Sequence, residues 1–334
     1  METNLRPLTL GEILDRTAQL YRSNFALFAG IFSCYAGVLL VLNLLQIGVV
    51  FWLSGLHIAA WLWGLTAIAA LVKFLLIFLF AGAAVAAISR AVAWVHLGEP
   101  ATIRGAYASV LPRLGRYIWL MTITFLMAWL PVALAYAGYI VVIVFYLPKG
   151  FMSQPGTANQ SSMMLFTVAS LAFVLLLLPT FAYGVVMMLR YALAVPASVL
   201  ENLKAFKAIR RSIDLSKGAR GRILVLGLLV FIIEVGLTGM SQLFFLVTAV
   251  RHHGQVGPVA QALSQVVAFF TNTVLGPIYA TGLTLFYYDQ RVRKEGYDIE
   301  WMMRAAGMTP PAPEPALEPA PPQGSEPPPA IEPL

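Results

Sequence analysis

The chain has 334 residues, of which 59% are hydrophobic and only 11% charged. Soluble domains are nearer a quarter charged, and a soluble core of this size leaves too much surface to hide so much apolar material, so lipid takes the place of water as the main solvent. The net charge of +7 suits anionic headgroups; no basic run is interleaved with aromatic stacking platforms, which argues against a nucleic-acid partner.

The charge is uneven along the chain. Residues 305–334 hold four glutamates and no Lys or Arg, which leaves +11 on residues 1–304. A lone cysteine, Cys34, rules out an intrachain disulfide or a cysteine-based metal site. The polar amino terminus leads into an amphipathic segment (10–22) and not into a short apolar run, so it does not read as a cleaved signal peptide.

A spanning helix needs about 20 apolar residues, because hydrocarbon cannot satisfy free backbone amides. Six stretches qualify: about 25–53, 57–88, 117–147, 163–189, 223–250 and 259–287. Amphipathic basic segments precede the first, third and fifth of them (10–22, 103–114 and 203–215). Their apolar positions, such as Ile13, Thr17, Leu20, Ile209 and Ile213, recur at helical spacing. These segments are expected to lie in the interface, apolar side toward the membrane and basic side toward headgroups. A unit of one short helix and a two-span hairpin thus occurs three times, near 9–89, 102–189 and 203–287. Either this is a threefold architecture, or short loops beside a membrane simply share this character.

Lys and Arg between the spans alternate as 3, 0, 4, 1, 8, 1 and 4 from the amino to the carboxy terminus. By the positive-inside rule the rich side is cytoplasmic, with both termini inside a bacterial-type cytoplasmic (inner) membrane. The expected fold class is therefore all-α: a polytopic protein with six transmembrane helices over 1–304. After Met308 the sequence becomes proline-dense and glutamate-rich, and 305–334 is expected to be a disordered cytoplasmic tail, serving either as a spacer or as a ligand for a proline-recognising partner.

Two ionisable residues fall inside spans, Lys73 in the second and Glu234 in the fifth. A charge in hydrocarbon is costly enough to demand a partner or a function. The expectation is a Lys73–Glu234 ion pair joining the two spans; the alternative is a lysine reaching for the interface and a protonated Glu234 beside Gln242 or Asn272. Pro131, Pro179 and Pro277 fall in the third, fourth and sixth spans, with Gly276 beside the last, where they can kink helices. Asn43 and Gln46 suit hydrogen bonds between helices. His57, His252 and His253 share the poorly charged side, but no acidic residue or cysteine accompanies them there, so solvated loop histidines are expected and no metal. No phosphate-binding loop, HExxH, GxSxG or dinucleotide fingerprint is present; no catalytic residue and no cofactor is expected.

Three stretches, RPLTLGEILDRTAQLYRSNF (6–25), RYALAVPASVLEN (190–202) and LTLFYYDQRVRKEGYDIE (283–300), together resemble the membrane domain of the glycerophosphoryl diester phosphodiesterase family. The resemblance covers most of the chain up to about residue 304. In that family the domain is in some members fused to a soluble phosphodiesterase with a His-Arg-Gly turn and a Glu-x-Asp pair holding a metal. Neither motif is here: Arg251-His252-His253-Gly254 has the wrong order, and Asp298-Ile299-Glu300 lies beside the membrane. The resemblance therefore implies membrane residence without hydrolase activity.

Together these readings lead to the expectation of a non-enzymatic membrane module that scaffolds or regulates a protein partner in lipid or envelope metabolism. The alternative is a small-molecule or lipid transporter with Glu234 near its pathway.

Overall fold

A computed structural model describes residues 6–54, 61–146, 160–251 and 257–305. His57, His252, His253 and the proline-rich tail lie outside the described residues. The first described element, α1 (Leu10–Ser23), is set by a capping box: the Thr9 hydroxyl accepts from the Glu12 amide at 3.3 Å, and the Glu12 carboxylate accepts from the Thr9 amide at 2.7 Å. The Thr9 N–H holds the Glu12 carboxyl below its ordinary pKa. Asn24 alone separates α1 from α2 (Phe25–Ser54), and α3 (Trp61–His96) follows. Thr102 caps α4 (Ile103–Val110), accepting from the Gly105 amide at 3.1 Å, and a 3-10 turn (Leu111–Arg113) leads into α5 (Leu114–Tyr146). Then come α6 (Gln160–Tyr191), α7 (Ala194–Leu200), α8 (Ala205–Ser216), α9 (Arg220–Arg251), α10 (Pro258–Glu295) and α11 (Tyr297–Ala305). Gly296, with φ +62°, turns the chain from α10 into α11, a left-handed conformation that suits glycine.

Six of these helices are long and apolar enough to cross a membrane, with spans at Phe25–Trp52, Val72–His96, Ile103–Val141, Phe166–Leu200, Arg220–Met240 and Pro258–Glu295. The helices run through Pro131, Pro179 and Pro277 without ending. The protein is an all-α polytopic membrane protein, with no strand among the described residues.

The order short helix, long helix, long helix occurs three times: α1-α2-α3, α4-α5-α6 and α8-α9-α10. Packing follows the same rule. Within each hairpin the two long helices touch, and between hairpins α3 packs on α5, α6 on α9 and α10 on α2. The six spans thus follow one another in chain order around a ring, across which α10 also packs directly on α3. Each short helix packs on the last helix of the preceding hairpin: α1 on α10, α4 on α3 and α8 on α6. Of the two readings the sequence left open, the packing takes the threefold one.

The amphipathic helices differ from expectation in what they cover. Ile13, Thr17, Leu20 and Tyr21 of α1, and Ala208, Ile209, Ser212 and Leu215 of α8, are buried against protein and not turned toward lipid. The physical reason is competition: the splayed ends of the long helices offer these faces a packed apolar surface, and the hydrophobic effect does not distinguish it from acyl chains. The densest packing lies at this end. There α3 buries Ala83, Ala84, Ala86, Ala87 and Ala91, whose small side chains let neighbouring backbones approach. Toward the other end the long helices carry exposed Leu, Val, Ile and Phe on most sides, the surface that lipid covers.

Candidate functional site

Inside the ring lies a cavity of ≈ 470 Å³. Its walls come from α2 (Phe32, Tyr35), α3 (Ile77, Phe78, Ala81, Val85, Ser89), α5 (Met121, Thr124, Phe125, Trp129), α6 (Met188, Tyr191) and α10 (Gly276, Tyr279, Ala280, Leu283). Among the described residues α9 contributes no lining side chain. Gly276 is required by close approach: a Cβ there would sit 2.1 Å from Cε1 of Phe32.

The lining is apolar, and most of its polar groups are already spent. Ser89 donates to the Val85 carbonyl at 2.9 Å and Thr124 to the Leu120 carbonyl at 2.9 Å, each within its own helix. The hydroxyls of Tyr35 and Tyr279 have no hydrogen-bond partner among the described residues. The Tyr279 phenol reaches α9, its hydroxyl 4.0 Å from where a Cβ of Gly227 would stand, so what the space itself offers a ligand is mainly apolar surface.

The floor of the cavity is α7, through Val195 and Pro196. Two arginines hold it from neighbouring helices. Arg90 of α3 donates to the Val199 carbonyl at 2.6 Å, and Arg116 of α5 donates to the Asn202 carbonyl at 3.0 Å and its side-chain oxygen at 2.7 Å. Asn202 adopts φ 56°, a left-handed turn that asparagine tolerates and that aims both oxygens at Arg116.

Beneath the floor runs an ionic layer. Glu201 accepts from the Tyr287 hydroxyl at 2.5 Å and from Arg211 Nε at 2.9 and 3.0 Å. Arg211 also donates to Glu295 at 2.7 Å, and Arg291 donates to Glu295 at 3.1 Å while its guanidinium stacks 4.0 Å from the Tyr297 ring centroid. Burial alone would lower the Arg211 pKa, but hydrogen bonds to Glu295 and Glu201 outweigh it and raise the value. A second centre is Asp289, whose carboxylate is fully buried. It accepts from the Leu8 amide at 2.8 Å, from Arg293 Nε at 3.0 and 3.1 Å, from Arg222 at 3.2 Å and from Gln290 at 3.0 Å. Arg222 and Arg293 also donate to the Leu8 carbonyl, at 2.8 and 2.6 Å. The segment before α1 is thereby strapped to α10. Lys294 caps α8 by donating to the carbonyls of Asp214, Leu215 and Lys217.

Lys73 and Glu234 are not brought together. Among the described residues no ion pair joins them, and the Lys73 ammonium donates to the side-chain oxygen of Gln46 instead. The ring explains this: α3 and α9 stand on opposite sides of it. Glu234 continues the stripe that α9 buries through Ile223, Leu226 and Val230, yet it is exposed, as are Ile233, Val235 and Leu237 around it. It lies within electrostatic reach of Tyr35 on the cavity wall. Asn272 donates to the Ala268 carbonyl of its own helix at 2.8 Å.

The residues that sequence reasoning passed over are Asp289, Arg211 and Glu295. Their signal was a burst of acid and base alternating at i, i+4 after a long apolar run (Asp289 with Arg293, Arg291 with Glu295), which reads equally well as a solvated helix end. No family model, no curated protein and no solved structure matches the chain.

Proposed function

We propose that this is a non-enzymatic multi-pass module that takes a hydrophobic molecule, such as a lipid, from the bilayer into its ring cavity. In that role it serves a protein partner in lipid or envelope metabolism. The observation that carries the reading is the cavity: ≈ 470 Å³, walled by five of the long helices and α7, and lined almost wholly by apolar and aromatic side chains. With the basic segments facing the cytoplasm, the ionic layer lies at the inner face of a cytoplasmic membrane and anionic headgroups surround it. Descent from the membrane domain of the glycerophosphoryl diester phosphodiesterase family is part of the proposal. What supports it is that the three stretches carrying the resemblance meet at one place: Leu8 with Asp289, and Glu201 with Tyr287 and Arg291.

A transporter is the second reading, favoured by the exposed carboxyl of Glu234 near Tyr35. Native mass spectrometry of the full chain extracted in mild detergent tests the first reading. It should show a retained hydrophobic molecule that Ala81→Phe displaces, with the unfolding midpoint preserved. Equal retention by wild type and Ala81→Phe overturns it. If Glu234→Gln abolishes function in the native host at unchanged abundance, the transporter reading displaces the module.

A further inference from the structure

At the end of the bundle away from the ionic layer, α2 and α3 part around a second pocket of ≈ 370 Å³. Leu42, Leu45, Val49, Ala69 and Leu76 make its walls apolar, and it contains one cation and one amide, Lys73 and Gln46. Lys73 is half-buried there, and its ammonium donates to the Gln46 side-chain oxygen. An ammonium has three protons. Among the described residues the other two have no acceptor, and the Gln46 amide nitrogen has none either.

Depth decides what this pair can meet. Gln46 lies 21 residues beyond Phe25, the start of its span, which is about 31 Å along the helix. Lys73 lies 17 residues before Arg90, about 25 Å from the end of α3 that holds the floor of the ring cavity. With a hydrocarbon core of about 30 Å, both stand at headgroup level in the far leaflet and not at mid-bilayer. The donors left free there, one of them charged, call for an anion, and the apolar walls a turn to either side accept the chain next to it.

We propose that this pocket binds an anionic phospholipid of the far leaflet, its phosphate held by Lys73 and Gln46 and its upper chain by Leu42, Leu45 and Leu76. The site is separate from the ring cavity, and each stands or falls by its own variants. The test is native mass spectrometry of the full chain with phosphatidylglycerol, phosphatidylcholine of the same chains, or oleate added. Phosphatidylglycerol should be retained over phosphatidylcholine by about tenfold, because the choline cation of the latter offsets the phosphate charge that Lys73 meets. Lys73→Met should abolish that preference and Lys73→Arg keep it. Gln46→Leu should weaken it with the charge intact, and Ala69→Phe, from an exposed position, should lower retention by filling the pocket. Equal retention of the two phospholipids, or an unchanged preference in Lys73→Met, overturns the site. Retention of oleate without phosphatidylglycerol overturns the assignment to a phospholipid.

Discussion

Removing the Asp289 carboxylate tests whether the ionic layer holds the bundle together. Its side chain is fully buried, and it gathers two guanidinium groups, the Leu8 amide and the Gln290 amide on its two oxygens. Breaking a buried pair by deleting one partner costs about 3–5 kcal/mol, because the surviving charge is left uncompensated. Here the partners are better placed than that: the Arg222 and Arg293 side chains are 28% and 37% exposed, and both keep the Leu8 carbonyl. The expected loss for Asp289→Ala is therefore near the lower bound, about 3 kcal/mol, and for Asp289→Asn about 1–2 kcal/mol, since an amide oxygen still accepts one of the bonds. Equilibrium unfolding in a detergent titration, followed by circular dichroism, measures the cost. A local readout accompanies it, because the segment before α1 is strapped through Leu8: trypsin should cut after Arg16 faster in Asp289→Ala than in wild type. If both variants unfold within about 0.5 kcal/mol of wild type and the cleavage rate is unchanged, the carboxylate is not what fastens α1 to α10.

Gly276→Ala should cost about 1–3 kcal/mol through overpacking against Phe32, and Phe32→Leu should recover part of that loss; additive effects in the double-mutant cycle would show that the ring does not set the requirement for glycine. Burial pushes the Tyr21 pKa up to about 12, and its hydroxyl donates to the Val274 carbonyl at 2.6 Å. A raised acid pKa means that the native state holds the proton more tightly, so this contribution is complete below pH 10 and is lost as pH rises through 12. Unfolding midpoints should fall across that window in wild type and less so in Tyr21→Phe, and a matching slope in the two proteins would remove Tyr21 from the account.

How much was legible in advance differs between the membrane and its edges. Six spans follow from the sequence alone, because hydrocarbon imposes one condition on every residue of a span and a run of apolar side chains meets it regardless of neighbours. The helices nevertheless extend past the apolar runs, as α10 does to Glu295, because ion pairs at i, i+4 and packing on α1 and α8 continue them where hydropathy falls. In the sequence Glu201 and Arg291 are only charged members of two of the stretches that carry the family resemblance. Their meeting with Tyr287 and Arg211 brings together residues from the exit of the fourth span, the segment before the fifth and the end of the sixth. Nothing local in a sequence encodes such a meeting.

The pairing expected of Lys73 and Glu234 shows the same limit. Composition established that a charge placed in hydrocarbon is expensive, and that much is independent of fold. Which group answers the cost is a matter of which helices are neighbours, and the ring sets α3 beside α2 and opposite α9, giving Lys73 to Gln46 and leaving Glu234 exposed. The sequence by itself determined the solvent, the spans and the helical class, because these depend on each segment's own transfer free energy. Only the tertiary structure decided the ring order, the burial of the amphipathic helices against protein, the cavity and the partners of the buried charges, because these depend on distances between segments far apart in the chain.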